Sequence, residues 1–274
     1  MKINKTLMTT ILFVVLATFV YAGSGTHSTI LGVGNANPAV TAVYSVANVD
    51  LNAGTTKTVY IAYNVSDNNG YADLNTSEAK VYLTKTGETT RSNTTGNCAV
   101  SNNGGLVATY NCSVIMQFYD GAGTWTINVT AKDNTGLSAY NDTTTLTVNA
   151  LDNILLNASA INCGTLSSPS TNNKCDTLLV TNRGNQNYGY FNETAYDLKQ
   201  ALDGAYIASS SFRVNVTDSS TGTALANATK VKIPSSALVK GAASTLPMYM
   251  YVDIASGKPA DTYTSIVDWL LEAI

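Results

Sequence analysis

The chain has 274 residues, 12% of them charged, and a net charge of -3. That length suits about two domains of ordinary size, and so little basic charge leaves no footprint for a phosphate backbone, so no nucleic-acid partner is expected. With few charges the surface must be wetted by Asn, Ser and Thr, and the 16 Tyr against 5 Phe fit strands whose rings are half buried with the hydroxyl in water.

Residues 1–22 read as a signal peptide: Lys2 and Lys5, an apolar run from Leu7 to Ala22, then small residues. Val20 and Ala22 suit the −3 and −1 positions of a cleavage site, which starts the mature chain near Gly23. The run is shorter than the roughly 20 residues of a spanning helix, so no membrane span is expected in the mature chain, which is exported to the cell surface or beyond. Residues 23–40 form a small-residue arm or linker without periodicity. Within it TILGV is a candidate donor strand that completes a neighbouring subunit's sheet by β-augmentation, the alternative being a disordered leader. His27, the one histidine, falls in this arm, which speaks against Ser-His-Asp or Cys-His catalysis and against a zinc site.

From there the chain reads as strand after strand. TKTVYIAYNVSD (56–67), EAKVYLTK (78–85), LVATYNCSVIMQFYD (106–120), TWTINVTAKD (124–133) and TTTLTVNA (143–150) alternate or run β-branched and aromatic. Trp125, Ile127, Val129 and Ala131 share one face of their strand, as a half-buried sandwich strand requires. A second series runs through LDNILLNASAI, DTLLVTN, NYGYFNETAYDL, YIASSSFRVNVTD, NATKVKIP, LPMYMYVDIA and TYTSIVDWLLEA. NETAYDLKQAL is also compatible with a helical turn, and SIVDWLLEAI with an amphipathic helix, although strand is preferred for the latter. The expectation is an all-β chain of two consecutive β-sandwich domains, 41–150 and 151–274.

DGAGTWTINVTAKDNTGLSAYNDTTTLTVN resembles the last two strands of immunoglobulin-like repeats in prokaryotic surface proteins. The matching positions are Gly123, Trp125, Ile127, Val129, Ala131, Asp133 and Gly136, and the resemblance covers about residues 38–150. The second half resembles sandwich modules of archaeal and some Gram-positive envelope or filament proteins. It shares an N-x-G-N turn at Asn182, Gly184 and Asn185, and a P-A-G-T-Y-T strand entry at Pro259 to Thr264 in which Asp261 replaces the usual glycine. The resemblance implies fold more than function.

Four cysteines fit an oxidising compartment, and short separations together with the domain boundary favour Cys98–Cys112 and Cys163–Cys175. Outside the signal, N-x-S/T sequons stand at Asn64, Asn75, Asn93, Asn111, Asn128, Asn141, Asn157, Asn192, Asn215 and Asn227, which suggests a glycosylated surface. The rival reading is that outward strand positions happen to use Asn and Thr. In AYNVSDNNGYADLNTS (62–77), Asp67, Asn69 and Asp73 present oxygens around Gly70, the pattern of a Ca²⁺ loop. In an immunoglobulin-like domain Asp133 and Asn134 lie at the same end. Asn-Gly and Asp-Asn are equally ordinary turn residues, and the loop lacks a closing bidentate Glu.

No carboxylate pair sits in a recognisable motif and NNGG (102–105) has no helix behind it, so no enzyme is expected, and no cofactor, with Ca²⁺ the one candidate. The functional expectation is a glycosylated structural component of the envelope or of an extracellular filament that acts by self-association or with other envelope proteins. The alternative is an adhesin or glycan-binding module using the aromatics of YGYF (188–191) and YMY (249–251).

Overall fold

Alternating burial along long strands builds the first sandwich. The computed structural model describes residues 28–95, 98–102, 105–200, 204–266 and 268–274; the signal segment 1–22 and His27 lie outside them. The first eight strands are β1 (Ala39–Val43), β2 (Thr56–Ser66), β3 (Lys80–Thr84), β4 (Arg91–Asn93), β5 (Cys98–Asn102), β6 (Val107–Gln117), β7 (Gly123–Lys132) and β8 (Ser138–Val148). They form two four-stranded sheets of order β1-β2-β6-β5 and β4-β3-β7-β8. This is the A-B-E-D and C′-C-F-G arrangement of an immunoglobulin sandwich.

On β7 the inward side chains Trp125, Ile127, Val129 and Ala131 are all buried, as the period-2 pattern demands. Tyr63 on β2 faces Tyr110 on β6 in register, and their rings stack with centroids 5.1 Å apart. Burial pushes both phenols up, Tyr110 to about 12. Cys98 and Cys112, opposite each other on β5 and β6, are bridged within one sheet. In antibody domains that bond joins the two sheets; here Trp125 and the tyrosine stack fill the centre instead.

The remaining strands are β9 (Ile154–Leu156), β10 (Ser170–Asn182), β11 (Phe191–Ala195), β12 (Leu198–Gln200), β13 (Tyr206–Ile207), β14 (Phe212–Asn215), β15 (Thr223–Ala224), β16 (Thr229–Ile233), β17 (Thr245–Ile254), β18 (Tyr263–Ser265) and β19 (Leu270–Ala273). They form a five-stranded sheet, β15-β14-β17-β10-β9, and two three-stranded sheets, β16-β11-β19 and β13-β12-β18. A second core gathers Val180, Phe191, Phe212, Leu225, Ile233 and Met248, and Cys163–Cys175 closes the loop ahead of β10. In both segments with helical potential the described residues carry strands, Phe191–Ala195 and Leu198–Gln200 in one and Leu270–Ala273 in the other, while residues 201, 202 and 267 lie outside the described residues. Cross-strand partners decide this: Thr194 pairs with both Lys230 and Leu270.

Three short strands carry no sequence signal of their own. β1 lies partly inside the expected arm, whose portion outside any strand therefore ends at Pro38 rather than 40; β4 and β5 are Asn- and Ser-containing segments held by their neighbours.

The N-x-G-N turn joins the two sandwiches. The Asn185 side chain accepts from Leu151 N–H at 2.7 Å and donates to Asn149 O at 2.9 Å and Asp120 O at 3.1 Å. The Arg183 carbonyl accepts from Gly54 N–H, and its guanidinium donates to Ala53 O. A Cβ on Gly184 would stand 2.0 Å from Leu151 O, so only glycine allows this approach. Nearby, Lys240 Nζ meets Glu88 Oε1 at 2.5 Å.

Candidate functional site

The register of β2 against β6 and of β7 against β8 sends the ends of β2 and β7 to the side of the first sandwich away from the N-x-G-N turn. There the loop after β2 meets the turn after β7. Asp67 N–H donates to Leu106 O, and the Asp67 carbonyl accepts from Gly70 N–H at 3.1 Å. Gly70, at φ 103°, makes the reversal that a side chain would strain. Two 3₁₀ turns follow, Tyr71–Asp73 and Thr76–Glu78. The loop is then sewn to β7: Asn134 N–H donates to Asp73 O at 2.7 Å, Asn134 Nδ2 to Ala72 O at 3.0 Å, and Asn75 N–H to Lys132 O at 2.9 Å.

These bonds bring Asp67, Asp73 and Asp133 together, each offering one carboxylate oxygen within 4.8 Å of the other two. Asp67 and Asp133 are each 1% exposed, and Asp73 is half-buried. Asp133 Oδ1 accepts from Thr135 N–H, Thr135 Oγ1 and Leu137 N–H at 2.8–3.0 Å. Asp67 Oδ1 accepts from Asn69 N–H at 2.7 Å. By contrast, Asp67 Oδ2 and Asp73 Oδ2 are buried and meet no hydrogen-bond donor. Desolvation first, then the charges of Asp67 and Asp133, raise the Asp73 pKa above its ordinary value. Three acids of one sign around two bare oxygens match the chemistry of a hard divalent cation.

Asn69, read from sequence as a fourth ligand, binds backbone instead. Its Oδ1 accepts the Ala36 N–H at 2.7 Å, gripping the chain just before β1. Asn134, expected to join the cluster, ties the two loops together.

The sequons fall into distinct environments. Asn111, Asn157 and Asn227 are exposed, whereas Asn93 and Asn192 are each only 8% exposed. The Asn93 amide nitrogen, the atom a glycan would carry, donates to Ser113 O. On β7 Asn128 points outward but is half-buried, with an unpartnered Oδ1. In Asn93, Asn141 and Asn215, Oδ1 accepts both the N–H and the hydroxyl of the Thr two residues on. The N-x-T tripeptide here is a self-bonded turn, which gives it a structural use independent of any sugar.

The aromatics singled out for glycan stacking are engaged elsewhere. Tyr188 and Tyr251 are buried, and Tyr190 and Tyr249 lie under Lys232 and Lys174 at 4.0 and 4.9 Å. Asp261, the departure from the strand-entry pattern, accepts from Gln200 Nε2 at 2.6 Å.

No family model matches the chain, and no curated protein does. Among solved structures, it is similar to a chain of the CsuC–CsuE chaperone–tip adhesion subunit pre-assembly complex from the archaic chaperone-usher Csu pili of Acinetobacter baumannii. The match has 11% identity, covers 85% of this chain and 99% of that one, and has a TM-score of 0.37; so distant a likeness carries no argument about this protein.

Proposed function

We propose that the protein is an exported structural component of a prokaryotic cell surface or extracellular filament that acts by associating with copies of itself or with other envelope proteins. The observation that carries this reading is in the segment ahead of β1. Residues 28–38 pair in no sheet, and Ile30, Leu31 and Val33 are 93%, 84% and 82% exposed. Three large exposed apolar side chains on one short segment suit insertion beside the strand edge of another subunit, where their burial and the backbone hydrogen bonds both favour association. Two disulfides support export, and no helix among the described residues is long and apolar enough to cross a membrane.

Electron microscopy and light scattering of the purified mature chain test the proposal. Ordered polymers or a concentration-dependent mass are expected, abolished by Ile30→Asp/Leu31→Asp with the thermal melt unchanged. A chain that stays monomeric, or a variant that assembles as before, overturns it; retention of a monomer on a glycan matrix would favour the adhesin reading instead.

A further inference from the structure

The strongest unexplained feature outside the arm is the bare acidic end of the first sandwich. Asp67 is 1% exposed, yet one of its oxygens has no donor, and the carboxylates of Asp73 and Asp133 each bring an oxygen within 4.8 Å of one of its own. Buried charge without a partner is expensive, so this end requires a neutralising species that the polypeptide itself does not supply to Asp67 Oδ2 or Asp73 Oδ2.

We propose that Asp67, Asp73 and Asp133 form a Ca²⁺ site that clamps the loop after β2 to the turn after β7. Oxygens within 4.8 Å of one another can all touch one ion, because Ca–O bonds of about 2.4 Å span roughly that distance across the metal. The donors are all hard carboxylate oxygens, the class calcium takes. The frame is set by bonds that need no metal: Asn134 to Asp73 and Ala72, Asn75 to Lys132, and Asp133 to Thr135 and Leu137. Binding therefore requires little reordering. A cation relieves all three charges at once. Because Asn69, in the same loop, holds Ala36, the clamp also steadies the chain immediately ahead of β1.

The proposal is tested by calcium titration of the full mature chain, followed by calorimetry and by thermal melts against chelator at matched ionic strength. A saturable rise in melting temperature is expected, with half-saturation at about 10⁻⁴–10⁻³ M, the range of extracellular calcium modules. Asp73→Asn should weaken binding at least tenfold while melting in chelator at or above the wild-type temperature, because it removes a like charge and no hydrogen bond. If Asp73→Asn does not fold, Asp67→Asn takes its place, with the exposed Asp142→Asn as a control that binds as wild type. Absence of a saturable shift up to about 10 mM calcium overturns the site. So does a variant that responds like the wild type, and an equal or larger response to magnesium overturns the assignment to calcium.

Discussion

The two ends of the first sandwich bury aspartates to 1% exposure, Asp120 at one and Asp67 and Asp133 at the other, and they treat Asp120 and Asp67 in opposite ways. At the end facing the second sandwich, Asp120 accepts Arg91 Nε at 2.9 Å on both oxygens and Arg91 Nη2 at 2.6 Å, and it also takes the Gln117 N–H. Its carbonyl is capped by Asn185 from the turn after β10. At the far end Asp67 has one oxygen filled and one bare, with two more acids beside it. A domain that satisfies its buried carboxylate at one end shows that the chain can do so. The difference therefore marks the far end as unfinished by the polypeptide alone. A third solution appears in the second sandwich. Glu193, in the middle strand of β16-β11-β19, is 6% exposed, and burial pushes its carboxyl up to about 8, so it stays protonated at neutral pH.

The comparison breaks most visibly at Asp120. Asp120→Ala strands Arg91, whose side chain is 15% exposed, and should destabilise by about 3–5 kcal/mol, read as the midpoint shift in urea unfolding. A loss below about 1 kcal/mol would mean that the two ends differ less than their hydrogen bonds indicate. Glu193 comes next. Its folded pKa is raised above the ordinary 4.5, so its contribution to stability is whole below about pH 4.5 and is lost as pH rises towards 8. Glu193→Gln should remove that decline, leaving the variant more stable than wild type at pH 8 by a few kcal/mol, since each tenfold change in proton affinity corresponds to about 1.4 kcal/mol, and nearly equal to it at pH 4. Parallel melting curves across this range would show the carboxyl to be ionised in the folded state. A smaller effect is expected at the junction. Asn185→Ala leaves Leu151 N–H and the Asn149 and Asp120 carbonyls without their partner, for a loss of about 1–3 kcal/mol, visible as faster amide exchange in residues 149–153. Asp73→Asn in chelator sits at the bottom of this scale, with an effect near zero or slightly stabilising, and that contrast with Asp120→Ala separates the two ends most sharply.

Much of this architecture is legible in the residue pattern where strands are long and two-sided. Alternation over TWTINVTA places Trp125 to Ala131 inward because a side-chain period of two leaves no other way to bury them. Alternation is silent for Arg91–Asn93 and Cys98–Asn102, which are strands only because β3 and β6 lie beside them. The same holds for much of the second sandwich, whose strands are as short as two residues and whose apolar positions are too few to set a period. At the acidic end, Asp67, Asp73 and Asp133 are recognisable from spacing and from the expected shared end of the sandwich. Asn69 is not separable from them, since an amide oxygen beside a glycine looks like a ligand until the chain that takes it, here Ala36, is brought across.

By itself, the amino-acid sequence determined the β class, the division of apolar residues between two series of strands, the partners of the four cysteines, and which acids stand close to turn residues. These are local properties, written in periodicity and short separations. Tertiary structure alone decided that the N-x-G-N turn clamps one sandwich to the other, that several sequons are self-bonded turns, that the chosen tyrosines are covered, and that three aspartates from two loops converge while two of their oxygens stay bare. Most of these depend on which groups meet across 34 to 130 residues of chain, and hydrogen bonds and charges act through distance in space.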